Sequence, residues 1–371
     1  MLILANNDVG LYRFRFELLQ ALRAAGHEVF ISLPPGDLVK PLQDIGCVFL
    51  PTPFDRRGMN PLRELGLLMR YLRLLRRHRP DAVLTYTIKP NIFGGLACRL
   101  RRVPYLANIT GLGTAMEGGG AKSRLLFFLY RLGLKGAGCV FFQNARNREV
   151  FGRVLRPGAH SRLLPGSGVN LQRFTPLPYP GEEEGTRFLF IGRVMGDKGV
   201  NELLAAMARV KAAHPTASLT LLGGCDEAYE EVLAQHQQNG LITWKGHVNE
   251  VLPYIKACHC LVLPSYHEGT ANVLLEAAAS ARPVIATRVP GCQETFDEGV
   301  SGLGCEPRDV DSLAQVMLAF MDLTQGSRRA MGLAGRKKME KEYDRGIVVN
   351  AYLEELGLGK FPQRAPDDMD D

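Results

Sequence analysis

Nowhere does the 371-residue chain carry an uncharged apolar run approaching about 18 residues, so no transmembrane helix is expected. It opens on a strand-like stretch, Met1–Ala5, with no basic segment or cleavage site ahead of it, which argues against a secretory signal and for the cytoplasm. Cysteine forms no framework. Of eight, only Cys258 and Cys260 stand close, flanking His259, and on a strand that spacing sends alternate side chains to opposite faces. Free, buried thiols are expected there rather than a zinc site. No G-x-G-x-x-G follows the first strand, which counts against a dinucleotide cofactor. The first half is short of acid: residues 1–175 hold 10 Asp+Glu against 26 Lys+Arg, a net of +16, while the remainder is −9. That asymmetry fits an anionic partner for the first half, such as a membrane surface or a polyphosphate. Aromatic and basic residues do not interleave as they do in RNA-binding modules, so no nucleic acid is expected.

What is present is alternation. Short apolar runs at Leu2–Ala5, Val29–Leu33, Val48–Leu50, Ala82–Tyr86, Tyr105–Ile109 and Cys139–Phe142 are separated by helix-period segments, the first from about Tyr12 to Ala25. A second series runs through Phe188–Ile191, Leu219–Leu222, Leu261–Leu263 and Val284–Ala286. This is the pattern of an α/β fold with two doubly wound parallel sheets. Residues 1–168 are expected to form one Rossmann-like domain and 187–345 a second. A Pro/Gly-rich linker at 169–186 joins them, a helix at 346–360 packs back on the first domain, and 361–371 is an acidic tail.

The stretch Leu261–Ala281 anchors the functional reading. An apolar strand ends at Pro264, a polar loop follows, and a helix begins near Thr270 or Asn272. Ligands of parallel α/β units sit beyond the carboxyl ends of the strands. Glu268 on the loop and Glu276 on the helix would reach opposite ends of one ligand roughly 10 Å long. The N–H groups of Gly269, Thr270 and Ala271 lie between them and favour an anion or hydroxyl oxygens. In 191–199, Arg193 and Lys198 flank a turn ahead of a helix, a plausible diphosphate clamp.

The E-x7-E spacing of Glu268 and Glu276, the G-R…K-G arrangement of 192–199, and the strand and loop at 282–286 and 290–294 resemble glycosyltransferase family 4. The family comprises retaining nucleotide-sugar transferases of GT-B architecture, two Rossmann-like domains with parallel sheets facing across a cleft. The resemblance spans most of the chain, from Asn6 to about Tyr352. It implies that Arg193 and Lys198 neutralise the leaving diphosphate, that Glu268 contacts the transferred sugar, and that Glu276 binds the ribose hydroxyls. The backbones of Gly192, Gly269, Thr270 and Ala271 would complete the donor site, those of Gly246 and Val248 would bracket the base, and Gly10 would let the chain approach the phosphates. Asp8, Arg13, Arg15, Lys89, Asn91 and Thr110 would meet the acceptor. The donor implied is a UDP-sugar, with no metal and no resident cofactor, since no carboxylate pair in Asp-x-Asp form is expected to offer a metal to the diphosphate.

The wording at Tyr12–Arg15, Lys89–Asn91 and Thr110–Gly113 narrows the resemblance to bacterial enzymes that extend undecaprenyl-diphosphate-linked sugars, with an N-acetylhexosamine the expected cargo. One departure stands out. Many family members place a histidine in the first domain's cleft loops, whereas here His27, His78 and His160 fall on helix ends or the linker, so a His-assisted mechanism is not expected. A GT-B-fold UDP-N-acetylglucosamine 2-epimerase is a rival reading, as is a non-enzymatic anionic-surface binder. Two segments, Pro61–Arg79 and 122–132, set basic stripes beside surplus apolar surface, as helices lying on an anionic membrane do. On the first of these, Leu65, Leu68 and Leu72 are expected inward and Leu67, Tyr71 and Leu74 outward.

Overall fold

The computed structural model describes residues 1–55, 58, 60–111, 120–181, 185–225 and 229–359. The run Leu112–Ala115, residues 182–184 and the acidic tail lie outside the described residues. The chain divides into two compact units, Met1–Ser167 together with the segment from Arg345, and Gly168–Asp344.

The first unit is built on seven parallel strands, β1 (Leu2–Leu4), β2 (Phe30–Leu33), β3 (Val48–Pro51), β4 (Val83–Tyr86), β5 (Tyr105–Ile109), β6 (Cys139–Phe142) and β7 (Ser161–Leu163), in the order β3-β2-β1-β4-β5-β6-β7. Its central strands are buried along their length because helices cover both faces. The strand order reverses between β1 and β4, and the loops after those strands therefore diverge and open a crevice. The first helix, Asp8–Ala24, begins one turn earlier than the periodicity indicates, because the Asn7 side chain caps it by accepting from the Gly10 N–H. Helix Arg345–Glu355 closes this unit. Arg345 donates to the Glu17 carboxylate and to the Arg13 carbonyl, each at 2.9 Å, and Asn108 donates to the Tyr352 hydroxyl at 2.6 Å.

The helix Pro61–His78 turns a different face inward from the one its sequence indicates. Leu67, Tyr71 and Leu75 are buried against β1 and β4, while Leu62, Leu65 and Met69 are exposed and Leu68, Leu72 and Leu74 are intermediate. The segment offers two rival apolar stripes at helical spacing. The one carrying Tyr71 is the one turned inward, and an aromatic ring is the largest apolar group the segment can bury.

The second unit has six parallel strands, β8 (Arg187–Ile191), β9 (Ser218–Leu222), β10 (Thr243–Trp244), β11 (Cys260–Leu263), β12 (Val284–Thr287) and β13 (Gly302–Cys305), ordered β10-β9-β8-β11-β12-β13. Its reversal falls between β8 and β11. The segment from Val169 that reads as a linker is a strap pinned to this unit. Val169, Leu171 and Phe174 lie in its core. The fully buried Arg282 donates to the carbonyls of Leu177 and Pro178 at 3.0 and 2.7 Å, and Arg336 donates to that of Phe174. Proline and glycine mark irregular backbone, and here buried guanidinium groups satisfy its carbonyls.

Candidate active site

The loops after β8 and β11 flank the switch point of the second sheet and interlock there. Tyr266 N–H donates to the Asp197 carbonyl at 2.9 Å, and Ser265 Oγ lies 3.3 Å from the same oxygen. That contact brings Lys198 Nζ to 2.5 Å from Glu268 Oε1, with side chains only 20% and 17% exposed. The pair is thus an ion pair half out of water at the mouth of the sheet. Its effect reaches the buried Cys292 thiol, which is pushed well above its ordinary range by burial first and by Glu268 second.

Two glycines make the interlock possible. Gly199 has φ +66°, and a Cβ there would lie 2.0 Å from the Pro264 carbonyl oxygen. Gly291 has φ +87°, and its Cβ would lie 2.4 Å from the Glu268 carbonyl oxygen. Gly199→Ala should therefore destabilise the protein by more than about 1 kcal/mol. It should also cut turnover, since the turn must withdraw Lys198 from Glu268. Thermal unfolding and initial rates check this, and unchanged values for both would contradict it.

Arg193 is exposed on the same turn as Lys198. Glu276 is half-buried, one turn into helix Asn272–Ala279, whose Leu274, Leu275 and Ala277 to Ala279 are all buried. Gly223 N–H donates to Gly246 O at 2.7 Å and Trp244 Nε1 donates to Gly223 O at 2.9 Å, which ties the loop of Gly246 and Val248 to the end of β9. Gly192 donates to Leu222 O at 2.9 Å and so continues the ladder between the ends of β8 and β9. The Thr270 hydroxyl donates to Gly269 O at 3.0 Å. Ala271 leaves the expected anion-binding set, because it is buried and its N–H donates to Gly291 O at 2.8 Å.

An Asp-x-Asp pair that sequence reading passed over, Asp309 and Asp311, follows β13. Asp309 caps helix Val310–Asp322 by accepting from Ser312 N–H, and Asp311 pairs with Arg209. His259 is likewise structural: Nδ1 accepts from Arg187 N–H, Nε2–H donates to Gly181 O, and burial lowers it to about 4. Among the described residues one trio has metal-ligand spacing, Cys139, His160 and Glu355 of the first unit, where His160 and Arg162 already share the Glu355 carboxylate.

In the first unit, Asp8, Arg15 and Asn91 are turned inward instead of toward an acceptor. Asp8 accepts from Leu38 N–H at 2.7 Å. Arg15 lies 5.1 Å from the Tyr86 ring centre and 5.9 Å from that of Tyr352, and Asn91 bridges Thr85 and the Asn108 carbonyl. A polar residue near a strand end can cap or fill the core as well as meet a ligand, and burial decides. The Gly10 N–H is engaged by Asn7. Arg13 and Thr110 are half-buried, and Lys89 pairs with Glu64 at 2.5 Å. Thr87, at the end of β4, was not expected. It is a β-branched residue at φ +73° whose hydroxyl is buried without a hydrogen-bond partner among the described residues, and a π-helical turn, Pro90–Gly94, follows it.

Two family models match the chain, "Glycosyl transferase 4-like domain" over residues 10–166 and "Glycosyl transferases group 1" over 185–322. The chain belongs to the group 1, family 4-like glycosyltransferases. This assignment makes it an enzyme of the hexosyltransferase class and sets aside the epimerase and the non-enzymatic reading. The glycosyltransferase is similar to the N,N'-diacetylbacillosaminyl-diphospho-undecaprenol alpha-1,3-N-acetylgalactosaminyltransferase of Campylobacter jejuni, at 25% identity over 94% of this chain and 96% of that protein. In fold it matches the sucrose-phosphate synthase of Thermosynechococcus elongatus (TM-score 0.77, 21% identity, 96% and 97% of the two chains). It also matches the Anabaena protein HepE solved with UDP and glucose (TM-score 0.77, 17% identity, 96% and 98%). The glycosyltransferase thus has the GT-B fold, two parallel sheets each in a Rossmann-like unit.

Proposed function

We propose that this glycosyltransferase moves a sugar, an N-acetylhexosamine foremost, from a UDP-sugar to a polyprenyl-diphosphate-linked saccharide at the cytoplasmic face of an anionic membrane. The reading is carried by the Lys198–Glu268 pair at the switch point of the second sheet. A cation and a carboxylate held side by side suit the two halves of a sugar diphosphate: the ammonium faces the phosphates, and the carboxylate accepts from the sugar hydroxyls. Lys198 and Arg193 stabilise the charge that develops on the departing diphosphate, which is the difficult step. The acceptor hydroxyl then attacks from the same face, its proton passing to the leaving phosphate oxygen, so that configuration is retained. No metal takes part, and a chelator should leave turnover intact.

The acceptor class is supported by the bacillosaminyl-diphospho-undecaprenol substrate named for the Campylobacter relative. A groove of about 770 Å³ in the first unit also supports it, setting the apolar Phe54, Leu62, Leu65 and Met69 beside Arg70, Arg73 and Lys89, with Glu64 paired to Lys89 and Asp55 on the same rim. Cations beside apolar surface are what an isoprenoid diphosphate needs. Incubation with a panel of UDP-sugars and short-chain polyprenyl-diphosphate saccharides, read by mass spectrometry, should show one added hexosamine with chelator present. No added sugar from any donor, or a strict need for magnesium or manganese, would refute the reading.

Among the described residues no helix is long and apolar enough to cross a membrane, which is consistent with the peripheral contact proposed here. Helix Gly120–Leu134 buries Leu126, Tyr130 and Leu134 but exposes Leu125 and Phe128, and Phe128 lies between Arg124 and Arg131 on one stripe. Leu62, Leu65 and Met69 share the outward side of Pro61–His78 with Arg73 and Arg76. Each basic residue near an anionic leaflet contributes about 1 kcal/mol. Phe128→Glu together with Leu65→Glu should therefore abolish co-sedimentation with anionic liposomes at low salt, and neutral liposomes should bind the wild type poorly. Equal binding of wild type to both lipids would contradict this docking.

A further inference from the structure

On the loop that carries Glu268, Tyr266 by itself holds the turn that carries Lys198, and the helix behind it, at two points. Its N–H holds the Asp197 carbonyl, and its hydroxyl donates to Glu202 Oε1 at 2.8 Å. Glu202 stands in the first turn of helix Val200–Ala213, so the two contacts bracket Lys198 and Gly199. Arg308 lies over the Tyr266 ring, 4.6 Å from its centre, and has a left-handed backbone conformation, φ +60°. Glu202 Oε2 is buried without a hydrogen-bond partner among the described residues, a costly arrangement for a carboxylate. The phenol is pushed up to about 12, by burial first and by Glu202 second, and so remains a hydrogen-bond donor at neutral pH.

We propose that Tyr266 and Glu202 are a positioning pair for sugar transfer: neither touches the donor, and together they fix where Lys198 stands relative to Glu268. The inference rests on the assignment of Lys198 and Glu268 to the donor. In the free enzyme those two attract each other, but with donor bound the ammonium must serve the diphosphate. The backbone that carries it therefore has to be held by something other than the ion pair. The Tyr266–Glu202 bond does this from the helix that follows the turn.

The test compares Tyr266→Phe, Glu202→Ala and Glu202→Gln with wild type for kcat, donor KM, UDP affinity and melting temperature. Misplacing a catalytic group by about 1 Å costs on the order of 100-fold. Tyr266→Phe and Glu202→Ala should therefore lower kcat by about 10- to 100-fold, with KM and UDP affinity within about threefold of wild type and melting little changed. Glu202→Gln, whose amide oxygen still accepts from the phenol, should recover most of the rate. Wild-type kcat in Tyr266→Phe would overturn the proposal. So would Glu202→Gln as slow as Glu202→Ala, or rate losses that merely follow the folded fraction. Lys198→Ala is measured alongside. If it keeps full activity the donor-site reading itself fails, whereas a slow Lys198→Ala beside a fast Tyr266→Phe overturns the positioning pair alone.

Discussion

Lys198→Ala should lower kcat by about 10²- to 10³-fold, the range for removing one preorganised group that stabilises developing transition-state charge. The donor KM should change far less, because charge on the leaving diphosphate peaks in the transition state and not in the bound ground state. Two features of the structure make the effect large. The ammonium is largely shielded from water, so its field is poorly screened. Its removal also takes away the cation nearest Glu268, whose carboxylate then repels an incoming diphosphate more strongly. Lys198→Met, which keeps the alkyl stem, should behave like the alanine variant. Initial rates across donor concentrations separate the terms, and a loss carried by KM alone would show that Lys198 binds without catalysing.

Glu268→Gln should lower kcat by about 10- to 100-fold, equivalent to the roughly 1.5–3 kcal/mol of a hydrogen bond to a charged group. Glutamine keeps the shape and one acceptor, so the variant isolates the charge. UDP affinity should barely move, because UDP lacks the sugar that Glu268 is assigned to hold. Glu276→Ala should do the reverse, weakening UDP binding by about 1.5–3 kcal/mol while turnover at saturating donor falls little. Calorimetric titration of UDP into both variants, with rates at saturation, checks the division of labour. Identical profiles in the two variants would contradict it.

The strands were legible because parallel strands covered on both faces read as unbroken apolar runs, as Cys139–Phe142 and Cys260–Leu263 do. Glu268 and Glu276 were legible because one loop and one helix carry both. The contact between Glu268 and Lys198 was not, since it depends on β8 and β11 becoming neighbours across a long stretch of chain. Tyr266 and Glu202 escaped notice for the same reason. Asp8, Arg15 and Asn91 misled because a polar residue near a strand end carries no local mark of which way it turns. Arg15 lies against the rings of Tyr86 on β4 and of Tyr352 on the C-terminal helix, both far from it in sequence. The strap 169–181 read as a linker because the buried arginines that satisfy its carbonyls lie more than a hundred residues downstream.

The central claim is that the donor nucleotide occupies the loops after β8, β10 and β11. Hydrogen–deuterium exchange with and without saturating UDP tests it residue by residue. Slowed exchange is expected across 192–199, 245–248 and 265–276, with the first unit's core unchanged. Exchange in those three segments that is indifferent to UDP, under conditions where titration shows UDP bound, would place the nucleotide elsewhere and contradict the account.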